Sequence, residues 1–124
     1  MLLESSIIPI VNENDTVAVE EMKFGDNDHL SALVATLLEA DLLVILSDVE
    51  GVYDKDPRAH EDAELIPLIS EARGMRQAIG GASMSAVGTG GIATKLAAAE
   101  EAALAGIPTV ITSGLRSGAL GKVF

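Results

Sequence analysis

From Asp28 to Ala40 the apolar residues Leu30, Leu33, Val34, Leu37 and Leu38 recur at i, i+3, i+4, i+7 and i+8. That spacing paints one stripe on an α-helix. After a single polar residue, Asp41, the chain becomes continuously apolar through Leu42, Leu43, Val44, Ile45 and Leu46, and it stops at Ser47-Asp48. A run this short and this apolar suits a strand covered on both faces, as in a parallel sheet. Ile7 to Val11 has the same β-branched character, with Pro9 favouring an early or edge position. Strand, helix and strand in that order predict a right-handed βαβ unit and an α/β fold.

The remainder of the chain continues in kind. Glu50-Gly51 and Asp56-Pro57 punctuate a loop or small hairpin from Asp48 to Arg58. Leu65 to Ile69 suggests a short strand and Glu71 to Ile79 a short helix, followed by a glycine- and serine-rich stretch from Gly80 to Gly91. Ile92 to Ala105 is an alanine-rich helix closed by Gly106 and Pro108. Thr109 to Thr112 is a further strand that leads into Ser113-Gly114. No linker divides the 124 residues, so residues 1–124 read as one domain or part of one.

Charge and composition narrow the function. The net charge of −11 sets most of the surface against nucleic acid and anionic lipid, so no nucleic-acid partner is expected. Only Phe24, Tyr53 and Phe124 are aromatic, too few for a base-stacking platform. There are no cysteines, which excludes disulfides and thiolate metal sites. His29 and His60 lack zinc spacing, and no metal ligand set is expected. No apolar run is long enough to span a membrane, and Met1-Leu2-Leu3-Glu4 does not start a signal peptide. A cytoplasmic location and no membrane partner are the matching expectations. An anion bound by so acidic a chain needs local help, from helix N-termini, lysines or a divalent cation.

Several polar clusters stand where strands end and helices begin. Asn12-Glu13-Asn14-Asp15 follows the first strand, and reads either as a solvated turn or as part of a ligand site. Asp26-Asn27-Asp28 opens the amphipathic helix. One member serves as an N-cap, and the others remain free to hold a cation or a substrate at the positive end of the helix dipole. Ser47-Asp48 is either a structural turn or a nucleotide contact at the carboxyl end of the most apolar strand. Gly88-Thr89-Gly90-Gly91-Ile92-Ala93-Thr94-Lys95 opens the alanine-rich helix. It fails the P-loop pattern, because Lys95 follows Thr94. Its G-x-G-x-x-A match to a dinucleotide fingerprint lacks both a preceding strand and a later acidic residue for a ribose, so a dinucleotide oxidoreductase is disfavoured. The remaining chemistry is a backbone cradle for phosphate, with Lys95 in reach, against the alternative of a plain loop bearing a surface lysine. His29, His60 and Glu100-Glu101 are read as solvated.

Taken together, I-P-I-V-N-E-N-D-T-V, F-G-D-N-D-x-L-S-A-L-V-A, a strand ending in Ser-Asp, G-V-Y-x-x-D-P-R, G-T-G-G-I-A-T-K-L-A-A-A and A-G-I-P-T-V-I-T-S-G resemble the amino-acid kinase family. Within it they resemble the branch that phosphorylates the side-chain carboxylate of L-glutamate in proline synthesis. The resemblance covers nearly the whole chain in order. It implies an αβα sandwich around a mostly parallel sheet, with ATP and Mg2+ as cofactors and L-glutamate as the acceptor. On that pattern Asn12, Asp15 and Asn27 bind glutamate. Ser47, Asp48 and Tyr53 contact the nucleotide, together with Thr89, Gly90, Gly91, Ile92, Ala93, Thr94 and Lys95. Asp28 orients the catalytic lysines, and Lys95 is one of them.

The family's initial strand and glycine-rich loop with a second lysine do not precede Ile7, nor does its glutamate-binding serine. The resemblance is therefore to the nucleotide-binding, carboxyl-terminal half of the kinase domain, and the isolated chain is expected to turn over little or not at all. An uncovered sheet edge predicts self-association into a homo-oligomer. A non-catalytic nucleotide-binding or regulatory module is the alternative, as is a family phosphotransferase with another acceptor.

Overall fold

A computed structural model describes residues 2–12, 27–82 and 91–124. Five regular elements carry the architecture: α1 (Asn27–Leu37), β1 (Leu43–Ser47), α2 (Ala72–Ala82), α3 (Ile92–Leu104) and β2 (Thr109–Ser113). The two strands pair in parallel, with Leu43 opposite Thr109 and Ser47 opposite Ser113. This is an α/β fold with a parallel sheet, as the apolar runs predict. Among the described residues no helix is long and apolar enough to cross a membrane.

Alternation along β1 points Leu43, Ile45 and Ser47 to the covered face and leaves Leu46 half exposed on the other. The covered face meets α1 and α3. The core there consists of Ala32 and Ala35 from α1, Ala98 and Ala102 from α3, and Leu43, Ile45 and Ile107. Four alanines at a helix–helix seam have little side chain to hold the backbones apart. The spacing is i, i+3 in α1 and i, i+4 in α3, so each pair lies on one helical stripe.

Both helices end in the same device. At the end of α3 the N–H of Ile107 donates to the carbonyl of Ala102 at 2.9 Å and that of Gly106 to Ala103 at 2.9 Å, with Gly106 left-handed at φ 77°. This is a Schellman motif, and its apolar contact is Ile107 in the core. At the end of α1 the N–H of Ala40 donates to Ala35 and that of Glu39 to Thr36, with Glu39 left-handed at φ 50°. The second motif uses a glutamate where glycine is unstrained. It ends α1 at Leu37, earlier than the apolar periodicity through Ala40 suggests. Each motif turns the chain into the strand that follows, and the strands start side by side.

Other expectations need correction. Residues 7–12 form no strand, and Ile8 and Ile10 are 88% and 98% exposed. β-branched residues permit an extended backbone, but a strand also needs a ladder partner, and this segment has none among the described residues. Leu65 forms an isolated antiparallel bridge with Tyr53 in place of a strand over 65–69. The helix expected over 71–79 is α2, which continues through Gly80 and Gly81 to Ala82. The parallel sheet with its three helices otherwise agrees with the α/β fold expected.

The Schellman geometry gives a direct test. A left-handed conformation costs an L-residue about 1–2 kcal/mol. Glycine regains part of that and loses some through unfolded-state entropy. Glu39→Gly should raise the unfolding free energy by about 0.5–1 kcal/mol, and Gly106→Ala should lower it by about 1 kcal/mol. Urea denaturation followed by circular dichroism reads both.

Candidate functional site at the carboxyl edge of the sheet

The site follows from the seam. Asp28, Ala32 and Ala35 occupy i, i+4 and i+7 of α1, and Lys95, Ala98 and Ala102 occupy i, i+3 and i+7 of α3. The alanine stripes therefore lead, at the N-terminal ends of the two helices, to a carboxylate on one and an ammonium on the other. Each sits seven residues before the carbonyl that its Schellman motif caps. Because both helices lead into the amino ends of paired parallel strands, their own N-termini lie toward the carboxyl edge of the sheet.

There Lys95 Nζ donates to Asp28 Oδ2 at 3.0 Å and Oδ1 at 3.2 Å. The Thr94 hydroxyl lies 2.8 Å from Asp28 Oδ2. The Lys95 and Asp28 side chains are only 12% and 14% exposed. An ion pair so enclosed costs desolvation, which the mutual contact and hydrogen bonds offset. Gly91 is the N-cap of α3 and offers no side chain to its first turn, which leaves that turn's N–H groups without a side-chain cap. Gly91, Ile92, Ala93, Thr94 and Lys95 thus form an electropositive helix start beside an amphipathic pair. Thr89 and Gly90 lie outside the described residues.

The other predicted residues divide. Ser47 and Ser113 are buried at the carboxyl ends of adjacent strands, and Gly114 N–H donates to the Ser47 carbonyl at 2.8 Å. The Ser47 hydroxyl reaches Asp48 Oδ1 at 3.3 Å. Asp48 is exposed, and Arg58 Nη2 donates to its Oδ2 at 2.6 Å. Tyr53 is half-buried in its bridge with Leu65. Asn27 opens α1 next to Asp28, exposed, and Asn12 is exposed in the irregular segment. Asp15 and Asp26 lie outside the described residues.

Several contacts carry no direct trace in the linear pattern. Arg58 is aimed by an Asx-turn, its N–H donating to Asp56 Oδ1 at 2.9 Å, so the D-P-R motif carried an indirect signal. His29 Nδ1 lies 2.8 Å from Glu101 Oε2, a second polar tie between α1 and α3. Glu100 meets Arg76 at 2.9 Å and Arg73 at 3.8 Å on α2. Glu100-Glu101 and His29 are not the solvated groups expected, because α3 has α1 on one flank and α2 on the other. Elsewhere the Lys55 ammonium, 2.6 Å from Asp62, holds that exposed carboxyl below its usual value of 3.8.

A mainly apolar cavity of about 440 Å3 lies between residues 65–72, α3 and β2, lined by Ile66, Leu96, Ala103, Ile107 and Ile111 among others. None of Asp28, Lys95, Ser47 and Asp48 lines it. Charge and hydrogen-bonding groups gather at the polar edge and not in this cavity, so the edge is the candidate site. No group of three or more His, Asp or Glu among the described residues could hold a metal ion.

The enclosed pair predicts an asymmetric response to mutation. Lys95→Met removes an enclosed ammonium from the Asp28 carboxylate and should cost about 3 kcal/mol of unfolding free energy. Adding Asp28→Leu should recover most of that loss. Urea unfolding of the single and double variants checks it, and a double variant no more stable than the single contradicts it.

Residues 1–113 match the sequence profile of the Amino acid kinase family. Glutamate 5-kinase of Geobacter metallireducens is 54% identical over 123 residues, 99% of this chain and 33% of the relative. Those of Pelobacter propionicus and Meiothermus ruber are 58% and 54% identical, over 94% and 93% of this chain and 31% and 30% of their own lengths. The chain thus spans about a third of the length of the curated relatives it matches. By the extent of the profile match, the chain belongs to the amino acid kinase family.

Proposed function

We propose that this chain supplies the nucleotide-binding part of a kinase domain that transfers the ATP γ-phosphoryl group to the side-chain carboxylate of L-glutamate. The observation that carries the reading is the enclosed Asp28–Lys95 pair at the uncapped start of α3. The names of the relatives support glutamate as acceptor.

Phosphoryl transfer asks the protein for positioning and charge stabilisation more than for covalent chemistry. In this reading the first-turn N–H groups of α3, from Ile92 and Ala93, receive phosphate oxygens, and Gly91 lets them approach. Lys95 neutralises charge that builds on the transferred group. Asp28 fixes the direction of the Lys95 ammonium and keeps it from folding back on other acceptors. Ser47 and Asp48 meet the nucleotide at the strand end, and Tyr53 borders its base. Asn12, Asp15 and Asn27 hold glutamate. Mg2+ arrives as the metal complex of ATP, held mainly by the phosphates, a mode that needs few protein carboxylates. The setting is the cytoplasm.

Leu33, Leu37 and Leu38 on α1 and Leu104 on α3 are 46%, 81%, 49% and 87% exposed. Apolar groups at that density favour self-association, and a homo-oligomer is part of the proposal. Light scattering at tens of micromolar (roughly the range in which weak contacts register) should give more than the monomer mass.

The function is tested by calorimetric titration with Mg-ATP and a coupled ADP-release assay with L-glutamate. Mg-ATP should bind, and Lys95→Met should weaken binding by about tenfold or more, as loss of a charge-assisted hydrogen bond implies. ADP release by the isolated chain should be slight. No Mg-ATP binding overturns the proposal. Binding without glutamate-dependent turnover in a version extended to the relatives' length selects the non-catalytic module.

A further inference from the structure

The Thr94 hydroxyl has two acceptors and one proton. Asp28 Oδ2 lies 2.8 Å from it, and so does the carbonyl of Gly91. The charge of the acceptors sets which takes the larger share of the proton. The Gly91 carbonyl already accepts the backbone N–H of Thr94 at 3.1 Å. Asp28, paired with an ammonium, is a charged acceptor, and hydrogen bonds to charged acceptors are about twice as strong as neutral ones. The hydroxyl therefore donates chiefly to Asp28, with the Gly91 carbonyl, whose second lone pair is open, as the weaker acceptor.

From this we infer that Thr94 is a positioning residue, whose side chain acts on the Asp28 carboxylate and not on the nucleotide. A carboxylate at the second residue of a helix rotates about its last bond. Lys95 alone does not fix that rotation, because its ammonium meets both oxygens at similar distances, 3.0 and 3.2 Å. Thr94 selects one oxygen, Oδ2, and sets the carboxylate plane. With that plane set, Lys95 is held across both oxygens in a fixed direction. Thr94 and Lys95 are adjacent in α3, so the same helical turn carries the ammonium and the group that orients its counter-ion. Thr94 sits in the third position of the helix, and its backbone N–H is already committed to Gly91. The hydroxyl is its remaining polar contribution, and it crosses to α1. The positioning role rests on the phosphotransferase reading of the Asp28–Lys95 pair; the contact itself does not.

Pulsed acylation with acetic anhydride, read by mass spectrometry at Lys95 and normalised to exposed Lys122, tests the inference without turnover. In the full chain Lys95 should label slowly. Asp28→Asn should release it. Thr94→Val, which keeps the shape and removes the hydroxyl, should raise labelling about threefold or more, up to the roughly tenfold of a fully lost charge-assisted hydrogen bond. Thr94→Ser, which keeps the hydroxyl, should label as wild type. Wild-type labelling in Thr94→Val overturns the inference, as does raised labelling in Thr94→Ser. No increase in Asp28→Asn also overturns it, because the carboxylate would then not restrain the lysine. If Thr94→Val fails to fold, Thr94→Ser and Asp28→Asn still decide. Mg-ATP added to the wild-type chain probes the separate reading. Protection of Lys95 supports the nucleotide site, and no protection removes it while leaving the Thr94 result as measured.

Discussion

Everything at the carboxyl edge depends on how closely α1 and α3 approach. Ala32, Ala35, Ala98 and Ala102 form the seam, and all four are buried. Small side chains let two helix backbones come near enough that groups one or two turns further on are forced into contact. A larger residue at any of these positions would separate the helix starts. Interiors are packed too densely to absorb such a change locally. The charge pair is thus a consequence of the alanine stripes as much as of its own attraction. Attraction alone would be a poor organiser, since burying two charges costs about what their contact returns.

The strands contribute alignment. Two Schellman motifs release the chain into β1 and β2 at matched heights, and the parallel pairing of Leu43 with Thr109 locks that match. A slip of one residue in the pairing would exchange the faces of one strand and displace one helix start from the other. Register in the sheet and geometry at the site are the same constraint seen from opposite ends of the helices. Glu39 marks where this arrangement carries a cost, since the turn after α1 uses a left-handed residue that glycine would fill without strain.

Helix periodicity, the continuous apolar strand and the Gly106 stop were readable as local pattern, and the structure follows them closely. Asp28 and Lys95 were readable as polar groups at helix starts, but only the family resemblance joined them, because nothing in a linear pattern says which two starts will be neighbours. Ile7 to Val11 misled for the complementary reason: residue type reports what a segment tolerates, while pairing depends on what lies beside it. The reading of His29, Glu100 and Glu101 as solvated failed similarly. A charged helix face looks wet in sequence until another helix with the opposite charge packs beside it. The Thr94 contact left no sequence signal, since threonine in the first turn of a helix usually serves its own backbone.

The contact between Lys95 and Asp28 joins positions 67 residues apart in the chain. Such a bond exists only while α1 and α3 are docked on each other. Local fraying of α1 would therefore scramble the lysine's direction even with α3 intact. Any ligand that requires an oriented Lys95 would bind the docked form alone, and by mass action would hold the intervening sheet and helices in place. Occupancy and global cohesion are coupled here through a single long-range closure, so amide-exchange protection deep in β1 becomes a remote gauge of what happens at the edge.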